Sequence, residues 1–562
     1  MKDSDIAYHD QIARGSVHMK KNVHWFQDAV FYQLHVKYFF DSNGDGYGDF
    51  LGLAEKLPYL RDLGINCLWL MPFFESPMFD DGYDVADYYK VKEEFGTLED
   101  FKYFMKEAHK NGIRVIADLV MNHTSIEHHW FQEARRNPES KYRDYYVWSD
   151  TKEKYVDAPI LFDQETSNWT WDEAAEQYYW HRFYSSQPDL NFENPEVVDE
   201  FKKIVFFWLD LGLDGFRCDA VPFLFEEEGT DCQDLPATHQ FFKDLRAAID
   251  ERYQDKILLA ECAFQYGEEL AEYFSTGDEF HMSFHFPIMT GLFYAIKKEH
   301  YNVIEKIVKD TPHIPDNCQY CLFLRSHDQI VLDTATEEQR DFLFQEYAPH
   351  PKMIRHNGIN RRLTPMMENS RRKILLLNSF LFSFPGTPII YYGDEIGMGD
   401  NIYLRDRDGL RTPMQWNENK NAGFSTAEPQ ALYLPINTDS TYGFHSLNVE
   451  TVSKSPTSLY NQMRRLIKVR QKHAATFGRG SIRFIPTSSE KAICYLREYE
   501  DDQILVVANL SGKALAMDID LSEFEGKRLI ELKGDIDFPV VKKYPYQFTM
   551  LRHTFFWLKV VD

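Results

Sequence analysis

Eight short apolar or β-branched runs, each followed by a polar loop and then a stretch of helical periodicity, punctuate the chain between Val30 and Tyr392. That alternation belongs to a parallel-stranded α/β fold. The runs are Val30–Leu34, Cys67–Leu70, Val115–Val120, Gly215–Arg217, Ile257–Ala260, Met282–Phe286, Leu322–Arg325 and Pro388–Tyr392. Eight βα units predict a (β/α)8 TIM barrel, in which the residues just after each strand converge on one face.

Two interruptions and a change of texture set the expected domains. Between the third and fourth runs lie about seventy aromatic, Asn/Asp-rich residues without a clean helix, too long for a βα loop. They are read as an inserted domain over 123–190. A second long insertion follows the seventh run; its segment Thr336–Phe344 has a helical pattern and is placed as a roof over the site. A helix from about Leu459 to His473 should complete the barrel, assigned to 23–122 and 191–475 behind a tail at 1–22. From 476 to 562, β-branched runs separated by turns, Ile504–Leu510 among them, predict a C-terminal antiparallel β-sandwich.

Charge narrows the partners. With 62 Lys and Arg against 88 Asp and Glu, the formal net charge of −26 opposes nucleic acid and anionic membrane surfaces and suits a neutral small molecule. An aromatic fraction of 15% is ample for stacking on sugar rings. Seven cysteines, an odd number scattered through apolar runs, suggest reduced thiols in a cytoplasm. The Cys318-Gln-Tyr-Cys321 spacing is read as strand interior, because no helix N-terminus follows to lower a thiol pKa. No apolar stretch reads as a secretion signal or a membrane span, so export is not expected. The sequence does not decide the oligomeric state and is compatible with a homo-oligomer.

The polar residues at the strand ends carry the chemistry. The fourth run leads into Arg217 and Asp219, the fifth into Glu261 and the seventh into His327-Asp328. Carboxylates arriving from three apolar strands would share one pocket, an arrangement too costly for mere helix capping in all three cases. Retaining glycoside hydrolysis gives them a purpose, since it needs one ionised carboxylate as nucleophile and one protonated carboxyl as acid. Arg217 shares a strand face with Asp219 and should keep it ionised. Glu261, with no cation beside it in sequence, should hold its proton near neutrality.

The segments Asp118-Leu-Val-Met-Asn122-His123, Gly215-Phe-Arg217-Cys-Asp219, Leu259-Ala-Glu261 and His327-Asp328 resemble the signature regions of the α-amylase superfamily, glycoside hydrolase family 13. The resemblance implies Asp219 as nucleophile, Glu261 as acid/base and Asp328 as transition-state stabiliser. It further implies that Asp84, His123, Gln187, Arg217, His327 and Arg411 bind the non-reducing glucose. Ser167–Trp171, Tyr178–Phe183, Gln187–Phe192, Tyr391–Asp400 and Arg411–Trp416 are most similar to the trehalose synthases of that superfamily, which interconvert maltose and trehalose within one closed site. An α-glucosidase or α-amylase-type hydrolase is the alternative, and a non-catalytic sugar-binding protein a remote one. Ser326, Gln329 and the segment 262–266 depart from the family pattern.

Calcium is the expected cofactor. Asp41, Asn43, Asp45, Tyr47 and Asp49 place oxygen donors at alternate positions among glycines, as a Ca²⁺ loop requires, although Gly52 stands where an EF-hand has its closing Glu. An Asx-turn loop without metal is the competing reading. The resemblance implies a second calcium on Asn122, Asp189, Glu226 and the backbone of Phe223 and Leu224.

Overall fold

The computed structural model describes residues 24–162, 164–262 and 267–562; the tail at 1–22 and most of the segment 262–266 lie outside them. Eight parallel strands close a barrel in sequential order: β1 (Phe31–Leu34), β2 (Cys67–Leu70), β3 (Arg114–Leu119), β4 (Gly215–Cys218), β5 (Ile257–Ala260), β6 (Met282–Phe284), β7 (Gln319–Phe323) and β8 (Thr387–Tyr391). Every residue of these strands is buried, which is why they read as near-continuous apolar runs rather than as alternating ones. The helix Leu459–Lys472 packs against the helices Phe50–Leu63 and Arg371–Ser383 and completes the outer ring.

Two strands differ from the sequence reading by more than one residue at an end. β6 stops at Phe284, because Phe286-Pro287 opens a helix at the position where proline costs least. β7 starts and ends earlier than its apolar run, so Arg325, His327 and Asp328 belong to the turn that follows it. That turn is held by Arg325, whose Nη2 donates to the Asp328 carbonyl at 2.6 Å. Cys318 directly precedes β7 and Cys321 lies within it; all seven cysteines are buried and unbridged.

Residues between β3 and β4 carry a three-stranded sheet of Trp148–Ser149, Gln177–Trp180 and Trp169–Asp172. Contrary to the sequence reading, they also contain a clean helix, His129–Arg136, whose Trp130, Phe131 and Ala134 are buried. Three aromatic and histidine rings at its start mask the period. After β7, Thr336 caps the helix Glu337–Tyr347 in a capping box. This helix packs on Phe286–Lys298 and contributes no residue to the cavity at the C-terminal ends of the barrel strands, so it does not roof the site.

Beyond the barrel, a six-stranded sheet (Ser481–Phe484, Ala492–Tyr499, Asp502–Asn509, Phe555–Val561, Arg528–Glu531, Ile536–Phe538, in spatial order) faces the two-stranded Leu515–Ile519 and Tyr546–Met550. Among the described residues no helix is long and apolar enough to cross a membrane.

Candidate active site

The C-terminal ends of the barrel strands surround a cavity of about 150 Å³. The ladder carries its acids into place. Asp118 and Arg217 are register partners in β3 and β4, and the amides of Asp219 and Glu261 donate to Leu119 O and Cys218 O, extending the pairing one step past each strand. Arg217 Nη1 lies 2.6 Å from both Asp118 and Asp219, and its Nη2 lies 2.5 Å from Glu261. Glu261 therefore has a cation beside it after all, donated by the neighbouring strand.

One guanidinium facing three buried carboxylates leaves surplus negative charge, and burial favours the neutral acid. Burial pushes Glu261 up to about 7 against the pull of Arg217, with Asp219 and Asp328 adding to the rise. Burial likewise raises Asp219 and Asp118 to about 6, each opposed by Arg217. Asp328 is the exception: despite burial, His327, Arg407 and Arg411 hold its carboxyl well below the usual range. Immediately after Asp219, Ala220 sits in the left-handed region at φ 51° and turns its amide onto Glu261 Oε2 at 3.3 Å. A non-glycine residue held there next to the acids marks a position fixed by its surroundings.

His327 Nε2 lies 2.9 Å from Asp328 and 2.9 Å from the Tyr83 hydroxyl, with its ring stacked on Tyr83. Burial lowers the imidazole pKa of His327, where Asp328 opposes it, and that of His123. Of the expected glucose ligands, His123, Arg217 and His327 line the cavity. Asp84, Gln187 and Arg411 do not. Asp84 is fully buried and accepts from Ser76 and from the Phe79 and Asp80 amides, so it shapes the loop rather than the cavity. The residue that reaches the cavity is Asp80, gripped at 2.6 Å by Arg407 and at 3.0 Å by Gln187. Arg407, not Arg411, forms the wall, bridging Asp80 and Asp328; Arg411 braces Asp81, Asp328 and the His327 carbonyl from behind. In the run Asp80-Asp81-Gly82-Tyr83-Asp84 the sequence offers three acids, and only the pairing with Arg407 selects among them. Ser326 and Gln329, two of the departures, line the same cavity.

The two expected calcium sets differ. In the 41–49 loop the carboxylates are already engaged: Asp41 accepts from the Asn43, Gly44 and Gly46 amides and from Ser425, and Asp49 caps the helix Phe50–Leu63. The loop thus closes on its own Asx turns and offers a cation few free lone pairs. In the second set, Asn122 Oδ1, Asp189 Oδ2 and Glu226 Oε1 are buried with no hydrogen-bond partner. Burial, reinforced by their mutual repulsion, raises Glu226 well above its ordinary value, and burial raises Asp189 to about 8. Hard oxygen donors left uncompensated are what a divalent cation satisfies.

Residues 33–479 match the family model for the alpha amylase catalytic domain, and 482–557 that for the maltogenic amylase C-terminal domain. The chain belongs to the α-amylase family. Within that family it is 49% identical over 553 residues to a trehalose synthase/amylase of Mycolicibacterium smegmatis, covering 96% of this chain and 93% of the relative. It is 48% identical over 552 residues to the trehalose synthase of Pimelobacter, covering 96% of each. An oligo-1,6-glucosidase of Bacillus cereus is 30% identical, over 89% of this chain and 94% of its own. Among known structures, trehalulose synthase MutB from Pseudomonas mesoacidophila superposes with a TM-score of 0.75 at 25% identity, covering 96% of this chain and 99% of MutB.

Proposed function

We propose that the protein interconverts maltose and trehalose by intramolecular transglucosylation with retention, and releases some glucose by hydrolysis. Asp219 attacks the anomeric carbon of the non-reducing glucose while Glu261 gives its proton to the departing O4. The freed glucose turns over, its anomeric hydroxyl returns a proton to Glu261, and the new C1–O bond expels Asp219. One guanidinium contacts both acids and so keeps them close together, as retention, which uses carboxyls about 5–5.5 Å apart, requires. Asp328, ionised by its cations, Asp80, Arg407 and His327 serve the sugar hydroxyls.

The observation that carries the isomerase reading is near-complete coverage at 48–49% identity by trehalose synthases, against 30% for the glucosidase. The relative's double name, trehalose synthase/amylase, favours a hydrolytic side reaction. Calcium is assigned to Asn122, Asp189 and Glu226, with the Phe223 and Leu224 carbonyls, where it would brace the insertion against the barrel; the 41–49 loop rests on resemblance alone. Incubation with maltose should give trehalose as the main product. Glucose alone from the first turnovers would replace this reading with an α-glucosidase using the same acids.

A further inference from the structure

The two insertions meet at one point over the cavity. Phe162, from the residues between β3 and β4, lines the cavity and packs at a tilt against Phe183 and Tyr184, with ring centroids 5.7 and 4.6 Å apart. Its outer face meets His356, 4.7 Å away, from the residues between β7 and β8. His356 and Asn357 form the two-residue turn of a hairpin, Ile354–Arg355 paired with Gly358–Ile359. Both turn residues lie in the left-handed region, at φ 43° and 57°, as the tightest hairpin turn demands, yet neither is glycine. A strained turn persists where its neighbours over-determine it.

Those neighbours belong to the site. A Cβ on Gly358 would stand 2.5 Å from Gln329 and 2.6 Å from Ile330 O, so the hairpin lies directly on the loop whose Gln329 lines the cavity. Arg355 and Asn360 both donate to the Asp406 carbonyl, next to Arg407. The His356 side chain is 4% exposed, and its Nε2 faces Asp406 Oδ1 at 3.5 Å. A carboxylate on one side and the Phe162 ring on the other hold the imidazole in place.

We propose that His356 and Phe162 form an aromatic clasp that closes the sugar cavity between the two insertions and sets the ratio of isomerisation to hydrolysis. This rests on the transglucosylation reading above. His356 acts through Phe162 as a positioning residue: the clasp leaves the Asp219 attack untouched and governs what reaches the glucosyl-enzyme next. With it closed, the retained glucose reacts; with it open, water enters, its oxygen bonds to C1 as the C1–Asp219 bond breaks, its proton passes to Glu261, and free glucose results.

The test uses the full chain, maltose and ¹³C-labelled glucose. Wild type should yield trehalose with little label. His356→Ala should keep maltose consumption, while raising the glucose-to-trehalose ratio on the order of two- to tenfold, the equivalent of one lost aromatic pair, and admitting label into trehalose. Phe162→Ala should shift the ratio in the same direction, and His356→Phe, which restores a ring, should return it toward wild type. A merely structural loss would lower both products together and leave their ratio unchanged. An unchanged ratio with no label uptake in both alanine variants would overturn the clasp. A wild type that makes no trehalose would overturn the functional reading instead, and the two failures are told apart by that control.

Discussion

Arg217 is asked to neutralise Asp118, Asp219 and Glu261 at once, and that shortage of positive charge gives the site its proton. With Glu261 up to about 7 and Asp219 at about 6, a window exists in which the acid is protonated and the nucleophile ionised. Turnover, followed as kcat/KM against pH, should fall below about 6 as Asp219 takes up a proton and above about 7 as Glu261 loses its own. A profile flat to strongly alkaline pH would contradict this, and Glu261→Gln should lack the alkaline limb. Because both pKa values are raised in the folded chain, the same groups stabilise the fold at low pH. That contribution fades as pH rises from the ordinary carboxylate range through the raised values. Asp80 and Asp84 separate chemistry from architecture. Asp80→Asn should lower kcat/KM by tenfold or more, the loss of a charge-assisted contact of about 1.5–3 kcal/mol, with an unchanged melting temperature. Asp84→Asn puts an amide donor against one of the two backbone N–H groups, which use different carboxylate oxygens, and should cost about 1–3 kcal/mol of stability. If Asp84→Asn impairs turnover without loss of stability, the sequence-based assignment of Asp84 as a sugar ligand is restored.

Elements differ in how plainly the sequence shows them. The barrel strands were legible because burial on both faces leaves an unbroken apolar run, and the acids after β4 and β5 were legible because each follows such a run directly. What escaped depends on pairing across long separations. Arg407 reaches Asp80 over 327 residues, and nothing local distinguishes it from Arg411, four residues on. The hairpin at His356 has no alternating pattern and is too short to announce itself. The proposed calcium ligands lie between these cases, since Asn122 and Asp189 lie at the two ends of the insertion and meet because the Leu190 amide donates to the Asn122 carbonyl. If the ion sits there, chelation should lower the melting temperature of the wild type, and Asp189→Asn should abolish that sensitivity. Asp45→Asn, in the loop that closes on itself, should leave the sensitivity intact. The reverse pattern would move the ion to the 41–49 loop.

At the scale of the whole molecule, the C-terminal sheet is part of the barrel's core. Alternation along Ala492–Tyr499 and Asp502–Asn509 sends Ile493, Tyr495, Ile504 and Val506 into the same apolar cluster as the barrel, while Cys494, Leu496, Leu505 and Val507 face a second cluster inside the sheet domain. Trp557 packs against Phe477 with ring centroids 4.9 Å apart, the Tyr495 hydroxyl meets Ser383 at 2.6 Å, and Arg497 donates to Gly480 O at 2.7 Å and to Ser383 O. Ile493, Ile504, Val506 and Trp557 are all fully buried. At about 1.5–3 kcal/mol for each large apolar side chain returned to water, their exposure amounts to roughly 6–12 kcal/mol, comparable to the net stability of an entire domain. A chain truncated after Gly480 should therefore fail to give a soluble barrel, and the full chain should unfold in one calorimetric transition. A truncated protein that stays soluble and retains both the parent melting temperature and maltose turnover would show the interface to be dispensable. The sheet packs on the helix Ala474–Gly478 and meets the end of Arg371–Ser383 at Ser383, so its loss should remove turnover through the fold and leave the chemistry of any surviving native molecules unchanged.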